Sequence, residues 1–214
     1  MSSLYEKLHS TIDKYEAKDF SFLFESLEGM SEESLRMHHL LYEGYVNKVN
    51  EINEKLRYAS YKSANHNYSE IRELLIEKAN NFNAVILHEL YFSNLTDKET
   101  EASDSFRTVI ERDYGSWENY IEDIKAAGKS SRAGWAITAY NYRDGKIQNF
   151  IIDQHDLHVP VFVRPLLVMD LWEHAYITDY GINKSDYIDA FMNNVNWNIV
   201  SQRFEGALKH DAIC

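Results

Sequence analysis

Asp170-Leu171-Trp172-Glu173-His174-Ala175-Tyr176 closes an apolar run, Pro165-Leu166-Leu167-Val168-Met169. A carboxylate at the end of a buried-looking segment is costly unless something cationic meets it. A metal ion is one such partner, and His174, a short way along, supplies another ligand. Two further histidines stand where apolar residues belong: His38 in register with Leu35, Tyr42 and Tyr45, and His88 in register with Val85 and Phe92. A lone histidine on an apolar face is more often a core residue held by a hydrogen bond. Two of them on two pairing helices are harder to dismiss, because inward-facing ligands on facing helices build metal sites. Three imidazoles and one carboxylate suit Mn, Fe or Zn. His39 rotates by about 100° off the stripe and reads as a surface or supporting residue. His9, His66, His155, His158 and His210 lie in polar surroundings and read as solvated.

These residues need elements to position them. Ser31 is an N-cap followed by acids, and Leu35, His38, Tyr42, Tyr45, Val49, Ile52 and Leu56 then mark one face of a long amphipathic helix. A second helix is expected from about Ser69 to Leu95, with Ile71, Leu74, Phe82, Val85, His88, Phe92 and Leu95 on its stripe and a break possible at Asn80, Asn81 and Asn83. Shorter helices are expected around Asp104 to Arg112 and Trp117 to Ala127, with Gly128 as the stop. The period then changes. Trp135 to Tyr140 and Ile147 to Ile152 flank Arg143-Asp144-Gly145-Lys146, a hairpin signal. A third strand is expected at Leu166 to Asp170, and helices at Tyr187 to Trp197 and Ile199 to Leu208. The fold class is α+β: an N-terminal long helical hairpin, then an α/β domain with a small three-stranded antiparallel sheet. The seam falls near Leu95 to Ser103, giving domains 1–97 and 98–214, the first with an N-terminal extension whose Leu4, Leu8, Ile12 and Tyr15 pattern packs on the long helix.

Composition bounds the partners. Lys+Arg of 22 against Asp+Glu of 34 gives a net charge of -12, which argues against a nucleic-acid ligand. No apolar run approaches a membrane span, and the N-terminus lacks the pattern of a secretory signal. The single cysteine, Cys214, allows no internal disulfide, which fits the reducing cytoplasm.

With Asp170 to Tyr176 go His88-Glu89-Leu90-Tyr91-Phe92-Ser93-Asn94-Leu95, Gly134-Trp135-Ala136 and Asn194-Val195-Asn196-Trp197. In this order, from about Asp19 to Phe204, the chain resembles the iron/manganese superoxide dismutases. The resemblance implies one Mn or Fe ion per chain, bound by His38, His88, Asp170 and His174. It implies superoxide as the substrate, oxidised to oxygen in one half-cycle and reduced to hydrogen peroxide in the other.

Further roles follow from the same resemblance. The iron-type position for a glutamine that bonds the metal-bound solvent is Ala84; the manganese-type position is Gln154, so the pattern leans towards manganese. His155 beside it leaves this open, because some members use histidine in this region. Tyr45 matches a gateway tyrosine of the proton relay. It lies seven residues past His38, one fewer than the family spacing, so a regular helix carries both on one face without a π-bulge. Tyr42 replaces the gateway histidine, and Ile177 replaces the tyrosine that would meet it across a dimer, implying a less polar funnel. Trp135 would wall the pocket. Phe92 and Ile137 stand where tryptophans are usual, and Phe92 reads as core packing. Lys184 takes an arginine position near the funnel mouth and would steer the anion against the global field. Glu173 would reach across to the partner's His174, implying a homodimer or a dimer of dimers. The changes at Tyr42, Ile177, Phe92 and Ala84 motivate an alternative: a metal-binding or structural protein of this fold with weak or no dismutase activity. A carboxylate-bridged di-iron bundle lacks its paired Glu-x-x-His motifs here.

Overall fold

A computed structural model describes residues 14–209. Cys214, His9, His210 and the Leu4, Leu8 and Ile12 of the N-terminal pattern lie outside the described residues.

Two long helices, α1 (Glu32–Tyr58) and α2 (Glu70–Ser93), form the hairpin. Each begins where a serine side chain accepts a backbone N–H one turn on: Ser31 from Ser34, and Ser69 from Arg72. The asparagine cluster does not break α2. Asn81 donates to the Glu77 carbonyl one turn back at 2.7 Å, and Asn83 reaches across to the carbonyl of His155 at 2.9 Å. One expectation shifts with this. Asn81 is buried, whereas Phe82 lies off the core face, 37% exposed.

Next come α3 (Asp104–Tyr114) and α4 (Trp117–Ser130), capped by Ser103 and Ser116. Gly128 does not end α4; the helix runs on to Ser130. A Cβ at Gly128 would sit 3.0 Å from Ile188 Cδ1, so the missing side chain serves close packing instead.

Strands β1 (Trp135–Asn141), β2 (Lys146–Ile152) and β3 (Val163–Asp170) form an antiparallel sheet in the order β2-β1-β3. Gly145 takes a left-handed φ of 67° at the hairpin turn. The register opposes Trp135 to both Ile152 and Asp170, so the central strand begins level with the end of β3. Gly134 sets that start: at φ 114°, an added Cβ would lie 2.1 Å from the Ile152 carbonyl oxygen.

The chain ends in α5 (Ile177–Tyr180), α6 (Lys184–Asn193) and α7 (Trp197–Leu208). Trp197 opens the last helix rather than closing the one before it.

One large apolar core draws on both halves, from Leu35 and Val85 in the hairpin to Leu167 and Val168 in β3 and Phe204 in α7. Hydrogen bonds fasten the hairpin to the sheet. Asn94 donates to the Val168 carbonyl at 2.8 Å. Arg203 donates to the carbonyls of Leu166 at 2.7 Å and Leu90 at 3.1 Å, tying the end of α2 to β3. Burial lowers the Arg203 guanidinium to about 10. Among the described residues, no helix is long and apolar enough to cross a membrane.

Candidate metal centre

The hairpin carries His38 and His88 inward on facing helices, and β3 delivers Asp170 at its last residue. His174 follows on a short 3-10 turn, Glu173–Ala175. The structure brings the four side chains together: one ligand atom from each lies within 4.8 Å of all the others. Asp170 Oδ2 is 3.0 Å from His38 Nε2, 3.3 Å from His174 Nε2 and 3.7 Å from His88 Nε2. His38, His88 and Asp170 are buried, while His174 keeps partial contact with solvent. The other carboxylate oxygen of Asp170 accepts the Trp172 backbone N–H at 2.9 Å, which fixes the rotamer.

His88 supplies the test of fit to a metal. Its Nδ1 donates to the Ala84 carbonyl at 2.7 Å, so the neutral ring carries its proton there and presents a lone pair at Nε2. That Nε2 is buried and has no hydrogen-bond partner. An unpartnered buried acceptor is costly, and a cation is what would satisfy it. A backbone carbonyl holding the far nitrogen is the usual support of a metal-binding imidazole. Burial, then the neighbouring His38, lowers His88 to about 3, so the ring is neutral at physiological pH. Burial also lowers His38, against the pull of Asp170. At Asp170, burial pushes the carboxyl up, but the charge and hydrogen bond of His174 and the contact with His38 outweigh it and hold the group well below the carboxylate range. The donor set is three neutral-capable imidazoles and one carboxylate, and it fits iron or manganese.

Beside this cluster the structure corrects one sequence reading and fills another. Gln154 lies past the end of β2 with its side chain exposed, so it does not face the cluster. His155 does. It is buried, 4% exposed, not solvated as its polar neighbours suggested. Its ring centroid is 6.0 Å from that of His88 and 5.3 Å from that of Trp172. Trp135 Nε1–H donates to His155 Nδ1 at 3.1 Å, and His155 Nε2 is 3.1 Å from the Tyr45 hydroxyl. Asp153, Gln154 and Asp156 around it hid its burial, because the loop after β2 has no period from which a facing can be read.

α1 runs through His38, Tyr42 and Tyr45 as a regular α-helix. Tyr45 is half-buried against His88, at 5.3 Å between ring centroids, and burial and then the Asp170 charge raise its hydroxyl. Trp135 stands edge-on to His88 at 5.0 Å. Tyr42 is fully buried with its ring stacked on His88 at 6.2 Å, yet its hydroxyl faces the N-terminal arm. It donates to Glu89 at 3.1 Å and accepts the Lys18 backbone N–H at 2.9 Å. Burial, chiefly, raises it to about 12. Phe92 packs against Phe20 and His38, and Ile137 is buried in β1. Lys184 donates to the carbonyls of Ser131 at 2.7 Å and Arg132 at 3.2 Å, past the end of α4. Burial lowers its ammonium, and the charge of Glu173 works the other way. Glu173 and Ile177 are exposed beside His174.

Fold and site together set three histidines and an aspartate, a group that could hold one metal ion, between a helical hairpin and a small sheet. Residues 102–203 match the family model described as iron/manganese superoxide dismutases, C-terminal domain. The chain is 41% identical over 203 residues to a protein of Aquifex pyrophilus named superoxide dismutase [Fe], covering 92% of this chain and 94% of that one. It is 41% identical over 190 residues to the Aquifex aeolicus protein of that name, covering 86% and 89%. To superoxide dismutase [Mn] 1 of Halobacterium salinarum it is 31% identical over 199 residues, covering 92% and 98%. The chain belongs to the iron/manganese superoxide dismutase family.

Proposed function

We propose that this chain is a superoxide dismutase holding one iron or manganese ion on His38, His88, Asp170 and His174. One observation carries the reading: His88 Nε2 is buried, unpartnered and held towards Asp170 by the Ala84 carbonyl behind it. When bound, either metal supplies paired oxidation states, taking an electron from one superoxide and giving one to the next. The lean towards manganese rested on Gln154, and it falls with that residue's exposure. Relatives carry either metal in their names.

The chain's own residues must deliver protons to the reduced product. Trp135 has only a donor, so His155 Nδ1 is the acceptor and neutral His155 carries its proton on Nε2. That Nε2–H donates to the Tyr45 oxygen, leaving the Tyr45 hydroxyl hydrogen available to a group in the cavity. Burial lowers His155, which keeps it in the neutral form this arrangement needs. Tyr42 contributes an apolar ring and no hydroxyl to the cavity. Lys184 acts on an incoming anion through its field and through the chain that it pins.

The assembly that fits is a homodimer or a dimer of dimers, with Glu173 reaching the partner's His174; its exposure next to a ligand supports this. The cytoplasm is the assigned compartment, on the reasoning from the lone cysteine.

The test is superoxide dismutation per bound metal, measured on protein loaded separately with iron and with manganese. Activity that tracks occupancy and vanishes in His174→Ala carries the proposal. A fully loaded, inactive protein would favour the alternative of a structural metalloprotein.

A further inference from the structure

His155 turns inward from a loop that otherwise faces solvent. Of residues 153–159 it alone is buried. The loop closes on itself where the Asp153 N–H meets the Leu157 carbonyl at 3.2 Å, with His155 midway between them. Nothing in such a turn dictates which of residues 154, 155 and 156 points inward. The cause lies in what the turn touches.

Apolar packing against α2 does not supply it. A cavity of about 190 Å³ is lined by Val159 and Pro160 of the loop and by Ile86 and Leu90 of α2, and an open space forfeits the contacts that would hold a loop in place. The two polar residues that line this cavity are His155 and Asn83. Asn83 Nδ2 donates to the His155 carbonyl at 2.9 Å. Among the described residues, this is the one hydrogen bond made to the main chain of residues 154–156. Asn80, three residues earlier on α2, comes within 3.5 Å of the Asp156 carboxylate. Asparagine is a poor helix former, so this pair weakens the middle of α2 and is accounted for by what it reaches.

The residue after Asn83 completes the arrangement. The Ala84 carbonyl holds His88 Nδ1 at 2.7 Å. Successive residues of α2 therefore hold two imidazoles whose ring centroids lie 6.0 Å apart, His88 through a main-chain carbonyl and His155 through a side-chain amide. With its carbonyl tied to α2, His155 places one ring nitrogen against Trp135 and the other against Tyr45, each at 3.1 Å.

We propose that Asn83 is the positioning residue of His155. Its amide pins the His155 main chain to the helix that carries His88, and so sets the imidazole between Trp135 and Tyr45. The role in proton delivery rests on the dismutase reading above; the pinning itself does not.

Asn83→Leu tests this on the metal-loaded protein. Leucine has about the volume of asparagine, favours the helix and lacks the donor. Metal content should be unchanged, and kcat should fall about tenfold at constant KM, as expected when a group near the reacting atoms is misplaced. A crystal structure of the loaded variant should show His155 Nε2 beyond hydrogen-bond reach of the Tyr45 hydroxyl. Asn83→Asp keeps the shape, cannot donate as a carboxylate, and should displace His155 in the same way. Asn83→Gln keeps an amide donor, has the cavity to take its extra methylene, and should restore both the distance and kcat. His155 unmoved in Asn83→Leu and Asn83→Asp would overturn the proposal, as would a loss of activity that only matches a loss of metal. A fully loaded parent without dismutase activity would instead overturn the dismutase reading, and the His155–Tyr45 distance in the variants would still decide the pinning.

Discussion

The indole N–H of Trp135 donates to Nδ1 of His155 across 3.1 Å, with both side chains buried. An indole cannot accept, so this one contact settles which imidazole nitrogen bears the proton, and through it the orientation of the Tyr45 hydroxyl. A residue on the first position of β1 thus governs a hydroxyl on α1 without touching it.

Trp135→Phe should therefore act on catalysis through His155. The ring still fills its place, but Nδ1 is left without its donor, at a cost of about 1–3 kcal/mol in stability. Freed to carry its proton on either nitrogen, His155 no longer holds Tyr45 in one orientation. Turnover should fall several-fold with metal content unchanged, read by superoxide dismutation and metal analysis on one preparation. A fall in metal content matching the fall in activity would mean that Trp135 supports the ligands instead.

His155 and Gln154 are separated by paired substitutions. A glutamine at 155 can both accept from Trp135 and donate to Tyr45, so His155→Gln should retain most activity. His155→Leu can do neither and should lose about tenfold, the equivalent of about 1.4 kcal/mol for one lost orienting hydrogen bond. Gln154→Ala should stay within about twofold of the parent, because its side chain faces solvent. Activity lost in Gln154→Ala and kept in His155→Leu would reverse the assignment.

That reversal of neighbours shows where the sequence is legible. His38 and His88 are readable because a helix repeats: an imidazole in register with Leu35 or Val85 must point where they point. Asp170 is readable because an acid ends an apolar strand. The three strands and their turn are equally plain from the change of period and from Asp144-Gly145. The loop after β2 has no repeat, so whether residue 154 or 155 turns inward is decided by tertiary contacts with Trp135 and Tyr45. Phe82 fails for a related reason. It sits one step from the buried stripe of α2, and Asn81 takes the inward place because Glu77 in the same helix satisfies its amide.

Acid should destabilise the metal-free protein steeply. His38, His88 and His155 all have lowered values in the folded state, His88 to about 3. Below about pH 6.5 the unfolded chain binds protons that the folded chain refuses, so stability is full above that pH and declines as pH falls towards 3. Each such histidine contributes a slope of up to about 1.4 kcal/mol per pH unit in its window. Depression of the Asp170 carboxyl adds in the same direction below its ordinary range. Denaturant unfolding of the metal-free protein between pH 7 and 4 should show this decline, and His88→Gln should flatten it. A flat profile in the parent would contradict the burial of neutral imidazoles.

Gly134→Ala tests the join between α4 and β1. The backbone there is left-handed, and a Cβ would meet the Ile152 carbonyl oxygen at 2.1 Å and the carbonyl carbon of Asp153 at 2.7 Å. Both obstacles are backbone and cannot rotate aside. The strained φ alone costs about 1–3 kcal/mol, and the clash must part β1 from the end of β2. Trp135 and Asp170 are register partners one residue on, and Leu171 N–H bonds the Gly134 carbonyl at 2.8 Å, so the displacement reaches a ligand directly. The variant should melt well below the parent and retain less metal, measured by thermal unfolding and elemental analysis. A variant of parental stability and metal content would show that the sheet absorbs the shift without moving Asp170.

Glu173→Ala separates assembly from ligation. The carboxylate is exposed and immediately precedes His174, the most solvent-accessible of the four clustered residues. If it finishes the partner's site, its removal should weaken the dimer and loosen His174 in both subunits at once. Sedimentation should then show monomer appearing at protein concentrations where the parent stays dimeric, with metal retention falling in parallel. Glu173→Gln keeps the acceptor oxygen and should recover most of both. Loss of metal without any change in assembly would place the effect within the chain, through the charge that Glu173 exerts on Lys184.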